Sequence, residues 1–539
     1  MVDVAWDALV GESAAWRAMM AVLVGSTTVW LYRETDRLNR KKRLSVDAKG
    51  NPRKLRDLPR VPNELPFLGN GLEIARNGRR IYEWTVEYCE KFNSEPWVRN
   101  FFGMDMICFS TPEAIEEITT TQFDHFVKGK FQTDVIEDVA GRGVFTADGE
   151  RWYRQRKTAV KFFTAKSLRA FMMKGMDRNI GQMCQVLEDG AKNDEWVDLK
   201  KLFQEFTLQS FVEMALGLEF AWIGTKERHA FYEAMDAVPL LQVDRFRQPV
   251  WMWKLQRFLN IGREAKLAKE MHTIREWLQD MVKEGLAKLN EIPGETGGPE
   301  AEEAVKSVLE LFVEQSDKYV DGLQSEDLID FLLTFMFASR DTTALMLTWL
   351  LYVLGQHPHV TKAIRDELKR KLPGQAGRKD AFLTTEHTRH LVYLEAAIRE
   401  VLRLYPAAPT NMRKVANDTV VGGDIPLYEG QIVLISAYAM ARNRDVWGPD
   451  AREFKPERWI DEKTGELIQV PSTKFIVFST GPRTCIGKHL ALLQLRVVTA
   501  NLLNRFDFEI DPANDGSHEP STLLMMKHAL KAKIHPASF

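Results

Sequence analysis

The chain has 539 residues, 45% of them hydrophobic and 27% charged, with Gly 33 and Pro 22 dispersed along it, which excludes a mini-protein, a disordered chain and a collagen-like one. Lys+Arg 73 against Asp+Glu 75 leaves a formal charge of −2, so the bulk balance gives no reason to expect a nucleic-acid partner. Cys89, Cys108, Cys184 and Cys485 stand far apart, which disfavours a disulfide framework or an all-cysteine metal cluster and favours a reducing compartment.

From Ala14 to Tyr32 the sequence is mostly apolar, and as a helix it reaches about 28 Å, close to the thickness of a hydrocarbon core. Residues 33–43 carry six basic and two acidic side chains, against only Asp3, Asp7 and Glu12 in residues 1–13. The positive-inside rule then puts the rest of the chain in the cytosol. Residues 1–45 are expected to be a membrane anchor with a basic stop-transfer flank; a helix lying on the membrane is the alternative. Residues 46–70, with Pro59, Pro62 and Pro66, read as an extended hinge, and residues 71–539 as one large domain.

Beyond the hinge, apolar stripes of helical period predict helices over 151–190, 198–220, 263–290, 304–315, 325–357 and 388–404. Short strands are expected around 101–109, 419–421 and 431–435, and a solvated loop over 290–304. The fold class is mainly α with a small β region. Ser325-Glu326-Asp327 opens the longest helix, which His357-Pro358 stops. That helix is apolar nearly all round and reads as a core helix. Asp330 and Arg340-Asp341 inside it argue against a membrane span. At its centre, Asp341 and Thr342 either relay protons into a dry pocket or are locally satisfied, Asp341 by Arg340 and Thr342 by a carbonyl one turn back.

The segment Lys474–Gly487 leads from an apolar run through a turn into a helix beginning near Ile486. A cysteine at that point, Cys485, meets free backbone N–H groups that stabilise a thiolate, as a soft metal ligand requires. From these residues alone, a Cys485/His489 zinc pair or nucleophile and an inert buried cysteine stay open.

Phe478, Gly481, Arg483, Cys485 and Gly487 reproduce F-x-x-G-x-R-x-C-x-G, and by it the chain resembles the cytochrome P-450 superfamily. Ala338-Ser339-Arg340-Asp341-Thr342 is similar to the family's A-G-x-[DE]-T motif, with Ser339 where Gly is usual. Glu400-x-x-Arg403 resembles its E-x-x-R helix, Phe454–Trp459 its P-E-R-F element, and Trp152-x-x-x-Arg156 its W-x-x-x-R helix, all in family order.

The resemblance implies a single large helical domain of cytochrome P-450 fold behind the N-terminal anchor, with haem b on Cys485 as axial ligand. Trp152, Arg156, Arg413 and Arg483 would hold the propionates, Phe478 and Gly487 would belong to the haem-binding turn, and Glu400, Arg403 and Arg458 would form a structural lock. Asp341 and Thr342 become catalytic, O2 the co-substrate, and electrons would come from NADPH through a separate reductase, with Arg154, Lys157 and Lys488 offering a basic docking face. Ser339 is expected to bond the carbonyl of Phe335.

Residues 247–267, the Ala338–Thr343 run and residues 523–531 resemble plant and fungal fatty-acid omega-hydroxylases. A fatty acid hydroxylated at or near its terminal carbon is the implied substrate, in a pocket including Thr334, Phe337, Ala338, Ala408 and Leu524. The implied location is the endoplasmic-reticulum membrane with the catalytic domain facing the cytosol. A haem-thiolate isomerase or dehydratase of fatty hydroperoxides and a non-turnover haem sensor are the alternatives.

Overall fold

The computed structural model describes residues 28, 32, 35–47, 49–164, 166–225, 229–291, 307–310, 325–519 and 521–539. The apolar 14–32 segment of the expected anchor falls, save Thr28 and Tyr32, outside these residues, whereas most of its basic flank, 35–45, is described; most of the 304–315 helix and the 290–304 loop also fall outside. The side chains of the expected cap at Ser325–Asp327 lie outside them too. Among the described residues no helix is long and apolar enough to cross a membrane.

The longer helices are α1 (Ile81–Lys91), α2 (Gly129–Ala140), α3 (Gly149–Thr164), α4 (Lys166–Lys192), α5 (Leu199–Leu216), α6 (Ala230–Gln242), α7 (Val250–Phe258), α8 (Gly262–Glu291), α9 (Ser325–Gln356), α10 (Pro358–Lys371), α11 (Val392–Leu404) and α12 (Lys488–Arg505). The strands are β1 (Trp97–Phe101), β2 (Met104–Phe109), β3 (Phe126–Val127), β4 (Val197–Asp198), β5 (Thr410–Val415), β6 (Thr419–Val421), β7 (Ile425–Leu427), β8 (Ile432–Ser436), β9 (Phe506–Ile510) and β10 (Lys531–Pro536). They form a five-stranded sheet in the order β1-β2-β8-β5-β3, a three-stranded sheet β4-β10-β9 and the pair β6-β7.

The mainly helical expectation matches this architecture, with three local differences. The 151–190 stripe is two helices, α3 and α4. The strand expected over 101–109 is a hairpin, because Phe102 (φ 48°) and Gly103 (φ 81°) both take the left-handed backbone that a tight two-residue turn needs, pairing Phe101 with Met104. The proline-rich hinge is docked onto the sheet. Val61 is buried and its N–H donates to Val98 O, while the N–H of Val98 donates to Pro59 O. An extended segment that cannot form a helix has found the unpaired edge of β1.

Helix α9 joins two hydrophobic cores. Leu328–Met336 packs among Leu208, Val212, Phe231 and Ile274, and Ala344–Leu354 among Phe203, Ile364, Leu394 and Leu502. Its polar turn, Arg340–Thr343, falls at the junction. Pro358 ends α9 and starts α10 at the position where a missing N–H is harmless.

The turn before α12 is held by backbone bonds. Cys485 N donates to Phe478 O at 2.8 Å and Thr484 N to Gly481 O at 3.0 Å. These bonds keep Cys485 and Ile486 out of the helix, so α12 starts at Lys488, with Gly487 as its cap. Gly481 has φ +67°, and a Cβ there would stand 2.1 Å from Thr119 O. Gly481→Ala is therefore expected to destabilise the protein by about 2–5 kcal/mol, the sum of a left-handed penalty and a backbone clash, read by denaturant unfolding. A change under about 0.5 kcal/mol would contradict this packing.

Candidate active site

A cavity of about 880 Å³ lies between α9, the β1-β2-β8 sheet, α2 and the Cys485 turn. Of the residues singled out from sequence, Cys485, Phe478, Gly487, Arg483, Arg413, Trp152, Arg156, Asp341, Thr342, Thr334, Phe337, Ala338 and Ala408 all line it. Leu524 does not; its neighbours Ser521, Thr522 and Leu523 do. The N–H of Leu524 donates to Ala407 O at 3.0 Å and its carbonyl accepts from Trp349 Nε1 at 2.8 Å, which fixes the segment with the Leu524 side chain in the core.

Cys485 presents its open face to the cavity. Burial pushes its thiol up, while N–H groups of Gly487 and Lys488 and the charge of Arg156 pull it back, as the end of a helix should. His489 is exposed one turn into α12, and no group of three or more potential metal-ligating side chains occurs among the described residues. Among the described residues, a zinc site on Cys485 and His489 lacks the further protein ligands it needs.

Beside the cysteine, Lys128, Arg413 and Arg483 lie within electrostatic reach of one carboxylate, Asp148, and Arg156 lies beside Arg483. Arg483 Nη2 donates to Asp148 Oδ1 at 2.6 Å and to Ala147 O at 3.0 Å, and its guanidinium lies 4.5 Å from the Trp152 ring. Asp148 already accepts from the N–H groups of Lys128 (2.9 Å) and Gly129 (3.1 Å). Arg156 donates to Thr484 O at 2.7 Å, and Arg413 only to Met412 O, at 2.8 Å. Burial pushes Arg413 and Arg483 down to about 10, reinforced on Arg413 by its neighbour Arg483, and pushes Lys128 well below its ordinary value. Nε and Nη1 of Arg483 are buried without partners among the described residues. Even with Lys128 left out, the three guanidiniums outnumber the one carboxylate. A ligand carrying two carboxylates and a thiolate-binding metal would fit this donor set, with the arginines for the carboxylates and Cys485 for the metal. Lys128 and Asp148 escaped sequence reasoning because nothing local marks them; only the fold brings both against Arg483.

At the polar turn of α9, Arg340 Nη1 donates to Asp341 Oδ1 at 2.7 Å, and Nη2 donates to Asp236 on α6. Thr342 Oγ1 donates to Ala338 O at 2.6 Å. Both of the locally satisfied alternatives are realised here, although Asp341 and Thr342 still line the cavity. Burial raises the Asp341 carboxyl, with Arg340 opposing it. Ser339 Oγ donates to Met336 O at 3.3 Å, not to Phe335, because its rotamer bonds three residues back. Thr334 is almost fully buried, and its hydroxyl is committed to Ala140 O and Asp330 O at 2.5 and 2.8 Å. It therefore offers the cavity its methyl side, while the hydroxyl ties α2 to α9.

Glu400 and Arg403 lie on α11 outside the cavity lining, both fully buried. Glu400 accepts from Arg403 Nε (2.8 Å) and Nη2 (2.7 Å), Arg458 Nε (3.2 Å), Trp459 Nε1 (2.9 Å) and Lys455 N (3.1 Å). Arg403 also donates to the carbonyls of Ala441, Ala451 (2.6 Å) and Glu453 (3.1 Å). Removing the carboxylate alone strands a buried guanidinium. Glu400→Ala is expected to lose about 3–5 kcal/mol of unfolding free energy, with Arg403→Met on that background recovering part of it. An E400A protein as stable as the wild type would contradict the pairing.

Residues 59–535 match the family model described as Cytochrome P450. Among similar proteins, Cytochrome P450 704C1 of Pinus taeda is 30% identical, the alignment covering 87% of this chain and 92% of that protein. Cytochrome P450 monooxygenase cyp1 of Mycosarcoma maydis is 33% identical, covering 88% and 74%. Alkane hydroxylase MAH1 of Arabidopsis thaliana is 30% identical, covering 89% and 92%. The solved structure "Crystal structure of cytochrome P450DA heme domain" superposes with a TM-score of 0.73 at 20% identity, over 90% of this chain and 99% of that one.

Proposed function

The chain belongs to the cytochrome P450 family and is a haem monooxygenase, and from that premise we propose that it hydroxylates a fatty acid at or near its terminal carbon. The observation that carries the substrate reading is the cavity wall beside Cys485, where Phe337, Ala338 and Ala408 are small or apolar and suit an alkyl chain. Cys485 would hold the haem iron through its sulfur, and the haem, once bound, would supply O2 activation for insertion of one oxygen atom into a C–H bond.

The chain's own residues orient, exclude water and move protons. Arg413 and Arg483 would neutralise the two haem carboxylates, with Trp152 and Arg156 bracing them and Phe478 and Gly487 shaping the turn beneath. Glu400, Arg403 and Arg458 would hold the segment around Pro456–Trp459 against α11. Asp341 would leave Arg340 to pass protons inward from Asp236, which is partly exposed, and Thr342 would turn its hydroxyl from Ala338 O into the cavity.

Electrons require a separate reductase, and we propose an NADPH-dependent one. Exposed Arg154 and Lys157 and partly exposed Lys488 support a basic docking face. We also propose attachment to the endoplasmic-reticulum membrane facing the cytosol. The apolar 14–32 segment, its basic flank and the outward Trp251, Leu255 and Phe258 of α7, Phe258 being 84% exposed, support it.

The test is turnover of dodecanoic acid by the full chain with a P450 reductase and NADPH, products read by mass spectrometry. The expected product is the terminal or adjacent hydroxy acid. Asp341→Asn is expected to lower turnover about 100-fold, the loss of one positioned proton donor. No oxygenated product from any C10–C18 acid would overturn the substrate reading.

A further inference from the structure

One half-buried cation of the cavity is left unused by the groups described above. On β1, Trp97, Arg99 and Phe101 share a face, and that face lines the cavity together with Met106 and Cys108, their cross-strand neighbours on β2. Val98 and Asn100 point the other way. Arg99 therefore sits opposite Met106 in an apolar strip. Its Nε is sealed from solvent with no hydrogen-bond partner, and no carboxylate pairs with its guanidinium among the described residues. Its nearest ring is Trp84, 5.8 Å from the guanidinium carbon.

The other cations around the cavity are accounted for. Lys128, Arg413 and Arg483 lie near Asp148, and Arg156 lies beside Arg483 with its guanidinium bonded to Thr484 O. Arg79 and Arg247 are exposed, and Arg247 is 3.4 Å from Asp244. Burial lowers Arg99, with only the Cys108 thiol opposing that effect. An unpaired guanidinium on an oily wall destabilises a protein that keeps it for packing alone, and it is a strong bidentate site for an anion that reaches it.

We propose that Arg99 determines substrate class by binding the carboxylate of the incoming chain, so that the enzyme takes long-chain carboxylic acids in preference to neutral hydrocarbons or esters of the same length. This rests on the oxygenase reading above and deepens it. A carboxylate held at β1 leaves the other end of the chain to lie along Phe337, Ala338 and Ala408 beside Thr342, which selects carbons remote from the acid. A neutral alkane would leave the guanidinium unpaired and dry, and sites built to bond a polar group reject analogues that lack it.

The experiment compares wild type, Arg99→Met, Arg99→Lys and the rim control Arg79→Ala as full-length holoproteins. Binding of dodecanoic acid, methyl dodecanoate and dodecane is titrated by the absorbance change of the bound haem, and KM and kcat are measured for each. R99M is expected to weaken acid binding about 10- to 100-fold, to raise KM for the acid with kcat little changed, and to leave the ester within about twofold. R99K should recover part of the acid affinity and R79A should match the wild type. R99M should unfold at or above the wild-type temperature, since it removes an unpaired charge from an apolar wall.

Equal loss for acid and ester would mark Arg99 as structural and overturn the inference, as would a lower unfolding temperature with loss of all ligands, or acid binding unchanged in R99M. A wild type that oxidises dodecane and the ester as readily as the acid overturns the Arg99 inference while leaving the oxygenase standing. A wild type that binds and oxidises none of the three overturns both.

Discussion

The interaction on which the site depends is one the chain does not complete by itself. Lys128, Arg413 and Arg483 are gathered near the single carboxylate of Asp148, with Arg156 beside Arg483, and two nitrogens of Arg483 are left buried without partners among the described residues. Burying positive charge without a partner is costly, and the lowered proton affinities of Lys128, Arg413 and Arg483 are the same cost expressed in titration. The elements that converge here come from distant parts of the chain: the start of α2, the start of α3, strand β5 and the turn before α12. A doubly anionic haem on Cys485 would satisfy that charge and pin these elements together. Ligand binding and folding stability are then linked.

The second organising feature is α9. Its two ends are fixed in separate cores, so its middle turn is held in place by packing that owes nothing to the polar residues it carries. That is how Arg340, Asp341 and Thr342 are tolerated in the interior, and it gives them a defined position against the cavity. Arg340 bridges Asp341 to Asp236, which is partly exposed, so the network reaches from the cavity wall toward solvent. The hydrogen bonds seen here, Asp341 to Arg340 and Thr342 to Ala338, describe a resting arrangement that the proposed proton transfer would have to break and remake.

Much of this was legible in the sequence because it is local. Cys485 and its glycines sit within a few residues of one another, Glu400 and Arg403 are one helical turn apart, and the apolar character of α9 is continuous. Strand and pocket details were less so. The 101–109 run hides a turn because Phe102 is not a residue that advertises a left-handed backbone. Leu524 and Leu523 are indistinguishable until a backbone bond to Ala407 sets which one faces inward. Lys128, Asp148, Asp236 and Arg99 gave no signal, since their significance lies in what the tertiary fold places beside them. The same holds for Ser339, whose partner is set by a rotamer.

The most direct measurement is the visible spectrum of the purified full-length protein, oxidised and then reduced under carbon monoxide, for wild type and Cys485→Ser. The expected result is haem absorbance with a strongly red-shifted Soret band in the wild type that is lost in the serine variant, because serine would not supply the electron-donating thiolate. Well-folded protein that takes up no haem when supplied with it, or a red-shifted band that survives Cys485→Ser, would contradict a haem-thiolate centre on Cys485.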